Sequence, residues 1–233
     1  MHALTTTARA TGAWYLALAL TGMLGFLVIR PLLFVEGDAA ATAARLAEQP
    51  ALAHAGVGLE MTIVVAQAVT AVWFYRLFHA LRPAAAFAIA AFGMLNAAAI
   101  MMSSVFLATA VGVGAAGGSR EAAPTVELLQ LLSTHAWGVG SLFFGLWLIP
   151  MGWAVIRTGR MPAALGVLLV VGGAAYLLSG LVGYALVDPP SWAVELLPLV
   201  ATAGELWMVG YLLSVGIRPA AATRGAEPAA VAV

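Results

Sequence analysis

The chain has 233 residues, of which 63% are hydrophobic and only 9% charged, and its formal net charge is zero. A soluble domain carries roughly a quarter charged residues, so the missing charge makes lipid the solvent, and the balanced sign excludes a nucleic-acid partner or a polybasic tail. Cysteine and lysine are both absent, which rules out disulfides, thiolate nucleophiles and lysine Schiff bases.

Long apolar runs predict six membrane helices, at Thr11 to Val35, Ala51 to Tyr75, Ala84 to Val111, Val126 to Ile156, Ala163 to Leu186 and Ala193 to Ile217, each long enough for a bilayer core. The fold class is therefore an all-α integral membrane bundle, with residues 1–217 as one domain and 218–233 as a disordered cytoplasmic tail. The first run exceeds a signal-peptide core and reads as a retained helix. Between the first two runs, Asp38 precedes an Ala-rich stretch to Glu48 and predicts a short interfacial helix capped by Asp38. Gly112, Gly114 and Gly117 spell G-x-G-x-x-G, but they follow a membrane helix rather than a strand and read as a flexible outer loop. Pro124 and Thr125 look like the start of the fourth helix. Pro31, Pro150 and Pro198 should kink or end theirs.

Arginine placement sets the orientation. Arg9, Arg76, Arg82, Arg157, Arg160, Arg218 and Arg224 fall on one side of a six-helix path, while Glu36, Asp38, Glu48, Glu121, Glu127, Asp188 and Glu195 gather on the other. Basic residues stay inside, so both termini are expected in the cytoplasm. Abundant Ala, Gly and Arg without Lys is the composition of a GC-rich bacterial genome, and the expected address is the bacterial cytoplasmic membrane. Trp14, Trp73, Trp153 and Trp192 lie near span ends and read as interface anchors. Glycines seven apart, Gly138, Gly145 and Gly152 on the fourth helix and Gly166, Gly173 and Gly180 on the fifth, predict that these helices pack along their small-residue faces at left-handed angles.

Ionisable groups in hydrocarbon are costly and usually have a task. Glu60 and Glu205 stand near the middle of the second and sixth helices and are the candidate catalytic acids. Gln67, seven after Glu60, shares its face; Thr202 lies a turn before Glu205; Asn96 and Ser103 form a matching stripe on the third helix. With His54 and His135 nearer the outer surface, these residues form the candidate substrate-binding set. The expectation is one shared polar pocket in which burial and mutual repulsion keep both acids largely protonated, with Arg30 snorkelling to the outer headgroups. No phosphate loop, nucleophile elbow or zincin motif is present, so no cofactor is expected, and ligand spacing supports no metal site.

Short signatures in order along the chain resemble an uncharacterised bacterial family of multi-pass membrane proteins, domain of unknown function 4386. They are Arg9, Gly12, Tyr15 and Leu16; Gly37 and Asp38; Tyr75, Arg76 and Leu77; Phe143, Phe144 and Gly145; Gly159, Pro162, Leu165 and Gly166; Tyr176 and Leu177; Gly204 and Glu205. Where that family's pattern has an arginine after the phenylalanine of the third helix, this chain has Phe92 followed by Gly93. The resemblance implies a multi-pass membrane protein without an assigned activity. Three functions stay open: small-molecule binding or proton-coupled transport; an acid-catalysed, cyclase-like enzyme acting on a lipophilic substrate; and a structural or regulatory membrane partner. The expected partners are membrane lipid, a small lipophilic ligand and a second copy of the chain, and not nucleic acid.

Overall fold

The computed structural model describes residues 2–116 and 119–218; Gly117 and the predicted tail beyond Arg218 lie outside them. Among the described residues six helical segments are long and apolar enough to cross a membrane. The protein is a multi-pass membrane protein. The first span is α1 (His2–Leu24), a π-helical turn (Gly25–Ile29) and α2 (Arg30–Leu33). The others are α4 (Pro50–Phe78), α5 (Pro83–Ala116), α6 (Ser119–Thr158), α7 (Ala163–Ala185), and the pair α8 (Ser191–Glu195) and α9 (Leu197–Ser214). Each span packs on the next in sequence, and α9 returns to α1, closing a ring.

Small residues set the approach of neighbouring helices, since lipid gives no hydrophobic drive between them. On the predicted α6/α7 seam, a methyl group added at Gly173 would stand 2.7 Å from the Gly145 carbonyl, and one at Gly166 would stand 2.7 Å from the Gly152 carbonyl. The stripes therefore meet backbone to backbone. The same device joins α5 to α6 at Gly140, against Ala99, and α7 to α9 at Gly172, against Ala201. Gly159 follows the last residue of α6 with φ +63°, a left-handed position that ends the helix without a Cβ penalty.

At the acid-rich end, α3 (Ala39–Glu48) is capped by the Asp38 side chain, which accepts from the Ala41 N–H at 2.8 Å. It buries Ala43 and Leu46 in a small cluster with Leu33, Val111 and Val126. This covering corrects the expected glycine loop. Helix α5 runs on to Ala116, and Gly114 is buried beneath Leu46, because packing outweighs glycine's weak helix propensity. Pro124 likewise lies inside α6 rather than at its start; its missing N–H leaves one carbonyl of the first turn without its usual intrahelical donor, close to the end of the helix. Pro198 stands at the break between α8 and α9, whereas Pro150 is carried within α6.

Candidate functional site

Arg30 does not snorkel. In a regular α-helix it would stand about 140° round from Gly25. The π turn closes much of that angle, with the Arg30 N–H bonded to the Gly25 carbonyl five residues back, and turns the side chain into the bundle. Pro31 favours the irregularity, since it has no N–H to offer the preceding turn. Inside, Arg30 Nη2 donates to Glu60 Oε1 at 2.5 Å and to the hydroxyls of Ser133 at 2.9 Å and Ser103 at 3.2 Å. Ser103 in turn donates to Glu60 Oε2 at 3.3 Å and lies 2.7 Å from Ser133. Glu60, Ser103 and Ser133 are almost fully buried. Four elements thus converge on one neutral, hydrogen-bonded charge pair, the arrangement a low-dielectric interior demands of buried ions. Its cation comes from the first span, although the third has glycine at position 93.

Two helical turns towards the arginine-rich end, the same seam of α4, α5 and α6 buries Gln67 and Asn96. Gln67 Nε2 donates to the Gly93 carbonyl at 3.3 Å, and Gly93 leaves room there for Ala71 and Trp147. Gln67 Oε1, both polar atoms of Asn96 and the Thr70 hydroxyl have no protein partner.

Glu205 occupies different ground. Its Oε1 accepts from the Tyr15 hydroxyl at 2.5 Å, and the Tyr15 ring is held edge-on by Phe74 and Trp147 at 5.3 and 5.5 Å. The carboxyl lines a cavity of about 320 Å³ enclosed by α1, α4, α6, α7 and α9. Five aromatic side chains face it: Tyr15, Phe26, Trp137, Phe144 and Tyr176. Met23 and Leu206 on its rim are 46% and 52% exposed, so the mouth opens on the lipid-facing surface between α1 and α9.

The expectation of one pocket shared by the two acids is therefore corrected. Glu60 does not line the cavity, and the partners of the two carboxyls, Arg30 and Tyr15, are fifteen residues apart on the first span, about 20 Å along its axis. Two acids so placed have no proton to share. Of the predicted binding residues, Gln67, Asn96 and Ser103 fall in the Glu60 seam, and Thr202 lines the Glu205 cavity. His54 is exposed on α4, and His135 is exposed with its Nδ1 3.1 Å from the Tyr184 hydroxyl. Sequence reasoning missed Arg30 as a partner, Ser133, and the cavity's rings. Ser133 had a legible signal, since Ser133, Gly140 and Trp147 repeat every seven residues opposite the Asn96 and Ser103 stripe.

A family model described as Domain of unknown function (DUF4386) matches residues 10–216, and the chain belongs to that family. No curated protein and no solved structure matches it.

Proposed function

We propose that this member of the family binds a small lipophilic organic cation in the Glu205 cavity, taken up laterally from the membrane, and exchanges it for a proton. One observation carries the reading. Among the described residues Arg30–Glu60 is the only ion pair, so Glu205 is a half-buried acid, lining an apolar cavity, that no fixed cation neutralises. An unpaired carboxylate is costly in hydrocarbon, and a mobile cation, either a proton or a ligand, removes that cost. Aromatic faces attract cations through their quadrupoles, and five rings around one carboxyl suit an organic cation with an apolar body. Because Glu205 holds either the proton or the cation, binding of one releases the other. Affinity then falls as pH falls, and the two movements are coupled.

The setting proposed is the bacterial cytoplasmic membrane with the arginine-rich end inside, supported by the arginine asymmetry. Glu60 and its seam act as the fixed scaffold beside the cavity.

The test is equilibrium binding of tetraphenylphosphonium to the purified protein in detergent, across a pH series. Losing one partner of a buried charge pair costs at least about 2 kcal/mol, so Glu205→Gln should weaken binding about 30-fold and abolish its pH dependence. Equal affinity in wild type and Glu205→Gln overturns the reading. A second reading, the acid-catalysed cyclase-like enzyme, draws on the same rings, which would stabilise a carbocation; conversion of an isoprenoid by wild type but not Glu205→Gln would select it.

A further inference from the structure

We infer a second binding site, for an anionic glycerophospholipid, on the outer surface of α5 and α6 at the arginine-rich end. A groove of about 340 Å³ runs between these helices, lined among others by Ala84, Ala88, Phe92, Leu146, Ile149 and Trp153. Apart from the Trp153 ring nitrogen, its side chains carry carbon alone. From Ala84 to Phe92 the groove follows α5 for about 12 Å, most of one leaflet's half of a bilayer core about 30 Å thick. It therefore has the length and chemistry of an acyl-chain track.

The mouth of the groove carries charge. Trp153 stands there with the Arg82 guanidinium 5.8 Å and the Arg157 guanidinium 5.9 Å from its ring centre. Arg82 is anchored by a 2.6 Å bond to the Arg157 carbonyl, while its Nε is buried without a partner. Two like charges are thus gathered over one ring at a membrane boundary, and the acidic residues of the described chain lie at the far end or mid-bundle. The missing counter-charge is what a phosphodiester headgroup supplies, accepting from both forks, with one acyl chain laid along the groove below it. Arg76 at the same end is the internal comparison. It stacks on Trp73 at 4.5 Å, and neither residue lines the groove.

The test is native mass spectrometry of the full-length protein in mild detergent with phosphatidylglycerol or phosphatidylcholine of identical chains. Wild type should retain one phosphatidylglycerol in preference to phosphatidylcholine, and millimolar inorganic phosphate should not displace it. Each guanidinium near a membrane surface strengthens anionic-lipid binding about fivefold. Arg157→Gln, which leaves the backbone carbonyl that holds Arg82 in place, should reduce retention by that factor, and Arg82→Gln with Arg157→Gln roughly thirtyfold. Ala88→Phe, filling the groove, should lower retention of both lipids, and Arg76→Gln should change nothing. Four results would overturn the site: no headgroup preference in wild type, displacement by free phosphate, unchanged retention in Arg157→Gln and Ala88→Phe, or an equal loss in Arg76→Gln, which would reduce the effect to general surface charge.

Discussion

Arg30→Gln withdraws the counter-ion from a carboxylate that is 3% exposed and enclosed by three helices. Removing one partner of a buried pair costs about 3–5 kcal/mol, because the remaining charge stands alone in low dielectric. The two directions are unequal here. Without Arg30, Glu60 keeps only the Ser103 hydroxyl. Without Glu60, Arg30 keeps Ser103, Ser133 and the face of Phe26 at 5.0 Å, and its side chain is already 15% exposed. Arg30→Gln should therefore cost about 4–5 kcal/mol and Glu60→Gln, whose amide oxygen still accepts from Arg30, about 2–3 kcal/mol. The double variant leaves no charge to strand, so its loss should fall short of the sum by more than about 1 kcal/mol. Equilibrium unfolding by sodium dodecyl sulfate in mixed micelles measures all three. Additivity within about 0.5 kcal/mol, or a larger loss for Glu60→Gln than for Arg30→Gln, would refute the account of Arg30 as the inward-turned counter-ion.

Gly173→Ala places a methyl 2.7 Å from the Gly145 carbonyl and should destabilise by about 1–3 kcal/mol, while Gly112→Ala meets nothing within 4 Å and should stabilise α5 by about 0.5–1 kcal/mol; thermal melting in detergent gives both signs, and like signs would contradict the packing. Asp38→Ala removes the cap of α3, at a cost of about 1 kcal/mol, and should speed amide exchange in α3 while leaving the α6/α7 seam protected. Asn96→Leu exchanges an amide with no protein partner for a side chain of similar size, so melting should hold or rise. Ser103→Ala, which strips a hydroxyl from the Arg30–Glu60 network, should lower it by about 1 kcal/mol.

The spans were legible because a bilayer sets one length for every helix and rewards unbroken apolarity. Glycines seven apart named the α6/α7 contact, and the same spacing put Gln67 on the Glu60 face and Asn96 on the Ser103 face, two stripes that meet where Ser103 bonds Glu60 and Gln67 bonds the Gly93 carbonyl. Direction was harder. Arg30 near a span end obeys the snorkelling rule until a π turn rotates it, and hydropathy carries no sign of that turn. Its three polar partners come from three other helices and lie 30, 73 and 103 residues away in sequence. Depth was missed for a related reason. Glu60 and Glu205 each look central within their own runs, yet their partners Arg30 and Tyr15 sit at opposite halves of the first span. Gly114 shows the reverse error: a glycine-rich stretch reads as loop until a capped helix lies over it.

The first span ties the two acids together while keeping them apart. Its lower part carries Tyr15 to Glu205, and its upper part carries Arg30 to Glu60. Between them lies the π turn, and Phe26 belongs to that turn. Phe26 lines the cavity, meets Trp137 edge-on at 4.6 Å, and carries the Arg30 guanidinium 5.0 Å above its ring. A ligand that needs the space Phe26 fills therefore acts on the one irregular turn of the span, whose far end is fastened by an ion pair and two serines. π turns are uncommon and frequent at functional sites, and this one has a definite task. It turns the guanidinium end of the span towards one acid while the phenol end meets the other. The result divides the acids by chemistry. Glu60 is paired with a fixed cation, whereas Glu205 accepts from the Tyr15 phenol beside an open cavity, and the proposed exchange is placed at Glu205 for that reason.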